Sequence, residues 1–146
     1  MHIEIIRTKS NTEAIDGVLK IGGNYVCDIS ENAATALAEG TYEVILERCK
    51  QYNRKMPIVK ELFDTTKCEK CNKLCDVNNN THMPQVCHMI KPGNGVYSRN
   101  DGSIIIGERI YDGCLIKPKG HFDLLCERLR KALSRDTKIS LTVCSN

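Results

Sequence analysis

The sequence has no tryptophan and only 2 phenylalanines and 5 tyrosines among its 146 residues. A surface that stacks nucleic-acid bases needs aromatic side chains, so here it would depend on the tyrosines. The formal net charge is only +3, and the basic residues are scattered along the chain. Both features argue against a nucleic-acid-binding protein.

Long apolar runs are also missing, at the start of the sequence and elsewhere. The stretch from Met1 to Ser10 is charged and strand-like, and it lacks the basic and then apolar order of a signal peptide. Nothing in the sequence approaches the length of a membrane span. We therefore expect a cytoplasmic protein that makes no membrane contact and is kept in a reducing compartment.

Cysteine, in contrast, is abundant, with 9 residues in the chain. An odd number of cysteines without an export signal argues against a disulfide framework. Hydrophobic residues make up 41% and charged residues 27%, which is an ordinary balance for a globular protein. The length suits a single domain that covers residues 1–146.

Apolar and polar residues alternate in several stretches, a pattern that predicts β-strands. The predicted strands cover residues 2–8, 15–21, 24–29, 41–48, 56–63, 104–106, 113–116 and 138–143. Gly22 and Gly23 form the two-residue turn of a hairpin. Residues 119–135 have helical spacing of Phe122, Leu125 and Leu129. The sequence thus predicts a mainly β fold, a β-sandwich or barrel-like sheet with one C-terminal helix, which is α+β in the loose sense.

A segment rich in cysteine and asparagine lies within an insertion at about residues 61–95. Cys68 and Cys71 are separated by two residues, a spacing that lets one tight turn aim two thiolates at the same metal. His82 and Cys87 offer a second pair of ligands. One interpretation is therefore a structural zinc held by these four residues, because metal binding would supply folding free energy to a segment with little apolar content.

The ligand set is not fixed by the sequence. Cys75 and His88 compete with His82 and Cys87 for the remaining positions. The other interpretation of the segment is an exposed, flexible insertion whose thiols are merely reduced.

Four stretches in a fixed order resemble the phage and prophage family catalogued as domain of unknown function 5675. The stretches are Ile15–Ser30 (IDGVLKIGGNYVCDIS), Ala36–Ile45 (ALAEGTYEVI), Gly102–Glu108 (GSIIIGE) and Asp112–Ile116 (DGCLI). A helix and a final strand follow in the same order. Ala38 stands where the family usually has proline, and the likeness covers most of the chain outside the insertion.

The His and Gly-Cys motifs of that family are similar to those of L,D-transpeptidases, which use a cysteine nucleophile on peptidoglycan stem peptides. The resemblance implies Cys114 as the catalytic nucleophile and a histidine near position 105, yet this sequence has Ile105 there and Glu108 in place of asparagine. A thiol without its base stays mostly protonated at neutral pH. We also expect Cys114, which is followed by Leu115 and Ile116, to be largely buried.

These departures favour a non-enzymatic phage or prophage accessory protein that binds a protein partner on a degenerate L,D-transpeptidase-like scaffold. The alternative is a Cys-dependent peptidoglycan-processing enzyme that uses Cys114 on a peptidoglycan fragment. A second alternative, a zinc-containing nucleic-acid-binding module, rests only on the segment rich in cysteine and histidine.

Overall fold

The computed structural model describes residues 1–49, 52–61, 88–95 and 102–146. Most of these residues lie in β-strands, and one helix lies near the C-terminus, so the predicted fold class is confirmed. The elements are β1 (His2–Ser10), β2 (Ala14–Ile21), β3 (Asn24–Asn32), β4 (Gly40–Cys49), β5 (Arg54–Glu61), β6 (Ile90–Pro92), β7 (Ile104–Tyr111), β8 (Cys114–Ile116), α1 (Pro118–Ser134) and β9 (Ile139–Ser145).

Within the described residues, the strands form one sheet in the order β5-β4-β9-β1-β2-β3-β7-β6, with β8 paired to β7. The pairs β1–β9 and β6–β7 are parallel, and the other neighbours are antiparallel. The two ends of this order meet, because the Val59 N–H donates to the His88 carbonyl oxygen at 2.7 Å. Ile58 and Met89 form an isolated bridge at the same place. The sheet is therefore nearly closed and barrel-like.

The hairpin of β2 and β3 turns at Gly22 and Gly23, as predicted. Both glycines have positive φ angles, +59° and +83°, which side chains rarely adopt. β3 then continues to Asn32, beyond the predicted end at Ile29. β6 lies inside the range predicted as an insertion, and it pairs with β7 from Ile90 to Pro92.

The interior core fills the barrel-like sheet with alternating apolar residues of its strands. α1 adds Phe122, Leu125 and Leu129, which are at most 2% exposed. Proline at the first position of α1 suits a helix start, where its missing N–H costs nothing. The helical stripe predicted from the sequence thus packs on the sheet, although Cys126 and Leu133 stay only partly buried.

β8 pairs antiparallel with the C-terminal part of β7, from Glu108 to Tyr111. Ile104 and Ile106 belong to the interior core, so Ile105 between them points to the other face, where it is fully buried. A Cβ on Gly107 would lie 2.7 Å from the Ile116 carbonyl oxygen, so glycine is what allows β8 to approach this closely. The hairpin of β7 and β8 therefore creates a second, smaller buried layer outside the barrel. Among the described residues, no helix is both long and apolar enough to cross a membrane.

Candidate functional site

Cys114 is the first residue of β8 and follows the tight turn of the β7–β8 hairpin. Gly113 in this turn has a φ of +74°. Cys114 is partly buried, and its neighbour Leu115 is almost fully buried, at 1% exposure. A side-chain hydrogen bond between Tyr111 and Cys114 raises the pKa of Tyr111. The partly buried Cys114 thus lies beside Tyr111, which is 64% exposed.

The backbone amide next to Cys114 bonds to a buried carboxylate. The Gly113 N–H donates to Asp16 Oδ2 at 2.9 Å, and the Asp16 side chain is only 4% exposed. Cysteine acyl-transfer enzymes use backbone amides near the nucleophile to stabilise a developing oxyanion. In this structure the Gly113 amide already has an acceptor, so it is not free to stabilise an oxyanion.

Arg109 completes the network around Asp16. Its Nη2 lies 3.5 Å from Asp16 Oδ1, its Nη1 donates to the Gly17 carbonyl oxygen at 3.2 Å, and Nη2 also donates to the Ile29 carbonyl oxygen. The backbone N–H of Arg109 donates to Asp28 Oδ2 at 2.7 Å. These bonds fix the β7–β8 hairpin to β2 and β3.

The described histidines bond to groups other than the Cys114 thiol. His121, in the first turn of α1, places Nε2 at 3.6 Å from Glu108 Oε2. His88 Nδ1 lies 2.9 Å from the Gly102 carbonyl oxygen, and His2 Nδ1 lies 2.7 Å from Ser140 Oγ. A general base must come within hydrogen-bond reach of the proton that it accepts. The arrangement of these three histidines does not supply one to Cys114.

The position where the resemblance implies a histidine lies in a buried row across the outer face of the sheet. Ile105 pairs with Ser30 of β3 on one side and with Lys91 of β6 on the other, and Ser30 pairs with Asp16 of β2. All four residues are at most 6% exposed. Ile105 is thus part of a packed, buried layer.

Sequence reasoning missed Asp16, Arg109 and the other polar members of this layer. When apolar and polar residues alternate along a strand, the pattern predicts that the polar residues lie on a face exposed to solvent. The outer face is instead covered by the β7–β8 hairpin, a contact between residues 97 positions apart in the case of Gly113 and Asp16. The one local signal is Gly107 within an otherwise isoleucine-rich strand, since an isolated glycine there indicates close approach of another backbone.

The four predicted zinc ligands lie outside the described residues: Cys68, Cys71, His82 and Cys87, together with the competing Cys75. Within the described part of the chain, no three or more His, Cys, Asp or Glu side chains are grouped to hold a metal. The zinc site therefore stays a prediction.

If the zinc interpretation is right, protein purified under reducing conditions without chelator carries one zinc per chain by elemental analysis. The double substitution Cys68→Ser/Cys71→Ser removes the metal, whereas Cys144→Ser in β9 keeps it. Chelation then increases hydrogen exchange in residues 64–88 and leaves the described strands protected. Purified wild-type protein without metal would contradict the interpretation.

Comparisons of the chain with family models, with curated proteins and with solved structures found no match. The fold itself defines the class: a mainly β, barrel-like domain with one helix near its C-terminus. The resemblance to the phage and prophage family rests on the four stretches quoted above.

Proposed function

We propose that this chain is a non-enzymatic phage or prophage accessory protein of the cytoplasm, which binds a protein partner on a degenerate L,D-transpeptidase-like scaffold. The observation that supports this best is the hydrogen bond from the Gly113 N–H to the buried carboxylate of Asp16. This bond occupies the Gly113 amide, which is therefore not available to stabilise an oxyanion beside Cys114.

The second reason to propose binding instead of catalysis concerns the general base that Cys114 would need. A cysteine nucleophile needs a neighbouring base or cation to form its thiolate near neutral pH. Ile105 occupies the implied base position, and His121 lies against Glu108. Tyr111, which lies beside Cys114, carries a phenol that is neutral at neutral pH and does not act as a base there.

The proposal predicts that iodoacetamide alkylates Cys114 at neutral pH no faster than it alkylates glutathione. Residue-resolved mass spectrometry measures this rate, with Cys144, which is also partly buried, as an internal reference. The protein is also expected neither to cleave nor to exchange peptidoglycan stem peptides.

Cys114→Ser is the control for both measurements. Stem-peptide turnover that Cys114→Ser abolishes would overturn the proposal in favour of the Cys-dependent peptidoglycan-processing enzyme. So would alkylation of Cys114 much faster than that of the other thiols below neutral pH. His88 and His121 would then be the first residues to replace.

A further inference from the structure

A groove of about 710 Å³ runs between the end of the β4–β5 hairpin and α1. Its apolar floor consists of Leu46 of β4 and Cys126 and Leu133 of α1, which pack against the interior core and are only partly buried. Burial raises the pKa of Cys126, so this thiol stays protonated at neutral pH and the floor carries no charge. This volume lies in the range that is typical of ligand-binding pockets in proteins.

Charged residues line the sides of the groove: Arg54, Lys55, Asp123, Glu127 and Arg130. Both carboxylates are already paired. Asp123 Oδ1 lies 3.3 Å from Arg54 Nη1, and Glu127 Oε1 lies 3.3 Å from Lys131 Nζ.

Lys55 and Arg130 are the other two cations that line the groove. Among the residues that the structure describes, no ion pair joins Lys55 or Arg130 to a carboxylate. The groove thus combines an apolar floor with two cations that no carboxylate of the described residues pairs with.

We propose that this groove binds a short segment of a partner protein in which an apolar side chain is flanked by carboxylates. The proposal rests on the proposed function, because it gives the binding protein a surface and gives its partner a chemistry. The apolar side chain covers the floor of Leu46, Cys126 and Leu133, while the carboxylates face Lys55 and Arg130. Complementary charge of this kind sets partner choice and orientation at an interface.

The floor distinguishes a peptide from a nucleic acid. A phosphate backbone would satisfy Lys55 and Arg130, but it would leave the apolar floor without contacts. Covering half-buried apolar side chains is favourable in proportion to the area removed from water. An acidic, leucine-bearing segment satisfies both parts of the groove.

Fluorescence anisotropy with a labelled short peptide, in which two leucines are flanked by glutamates, tests the proposal. Arg130→Glu and Arg128→Glu make a matched pair of variants, because both residues are exposed on α1 and two positions along a helix turn the side chain by about 200°. Arg130→Glu is expected to weaken binding about tenfold or more through like-charge repulsion, while Arg128→Glu leaves it unchanged. Binding by the wild type weakens as salt is added.

Alkylation of Cys126 provides a second measurement that does not depend on the label. The bound peptide is expected to slow modification of Cys126 by N-ethylmaleimide and to leave that of Cys144 unchanged. A version of the peptide with lysines in place of glutamates is expected not to bind.

Three outcomes overturn the groove proposal: no saturable binding of the acidic peptide, equal loss in the two arginine variants, or tighter binding of a single-stranded oligonucleotide that protects Cys126. None of these outcomes bears on Cys114. If the peptide fails and Cys114 stays unreactive, the groove proposal is wrong and the proposed function is left standing. If Cys114 proves catalytic, the proposed function fails whatever the peptide does.

Discussion

Replacing Glu31 by glutamine is expected to lower the free energy of unfolding by about 3–5 kcal/mol, the usual result of breaking a buried ion pair. The Glu31 side chain is 1% exposed, and it accepts two hydrogen bonds from Arg7, from Nε at 2.9 Å and from Nη2 at 3.0 Å. The same Nη2 donates to the Leu37 carbonyl oxygen at 2.5 Å. Glutamine keeps the volume of glutamate but leaves the guanidinium of Arg7, which is 11% exposed, without its counter-charge.

Urea denaturation followed by far-ultraviolet circular dichroism measures this loss, since the chain has no tryptophan to report by fluorescence. The matched control is Asp112→Asn, which breaks the exposed pair of Lys9 and Asp112, whose side chains are 61% and 54% exposed. We expect that control to leave the stability close to that of the wild type, because solvent screens an exposed pair.

The double variant Arg7→Met/Glu31→Leu separates the charge from the packing. Apolar replacement of a whole buried pair is often neutral, so the double variant is expected to be more stable than Glu31→Gln. A Glu31→Gln protein as stable as Asp112→Asn would contradict this interpretation.

The Arg7–Glu31 pair also shows where the sequence pattern stops predicting the fold. Alternation correctly placed β1 and β3, because Ile3, Ile5 and Ile29 mark the inner face. By the same alternation, Arg7 and Glu31 lie on the inner face, near the ends of β1 and β3. A charged residue at the end of a strand is compatible both with exposure to solvent and with a buried ion pair. The register of three neighbouring strands brings the two together across 24 positions of sequence, because Arg7 pairs with Gly17 of β2 and Gly17 pairs with Ile29 of β3, two residues before Glu31.

The candidate site follows the same rule. The sequence predicted a short strand over residues 113–116, and the structure has β8 at Cys114–Ile116. It did not reveal that the Gly113 amide bonds to Asp16 or that His121 lies against Glu108, since both contacts depend on where the β7–β8 hairpin and α1 pack. Strand and turn signals are local, whereas the chemistry of a thiol depends on its spatial neighbours.

The helix stripe predicts the second large effect: Leu129→Ala is expected to cost about 2–5 kcal/mol of folding free energy. Leu129 is fully buried on α1, one turn after Leu125, and both belong to the interior core. Truncation removes its transfer free energy and leaves a cavity that the rigid sheet cannot close, and the size of the cost depends on how far the neighbours relax.

Leu124→Ala is the matched control, because it makes the same chemical change on the same helix at a side chain that is 64% exposed. Its effect is expected to stay within about 0.5 kcal/mol, as for most surface substitutions. The comparison cancels the helix propensity difference between leucine and alanine, so what remains is packing. Urea melts in which the two variants lose the same stability would show that α1 does not pack through Leu129. The groove of Leu46, Cys126 and Leu133 depends on that packing too, because α1 forms one of its sides.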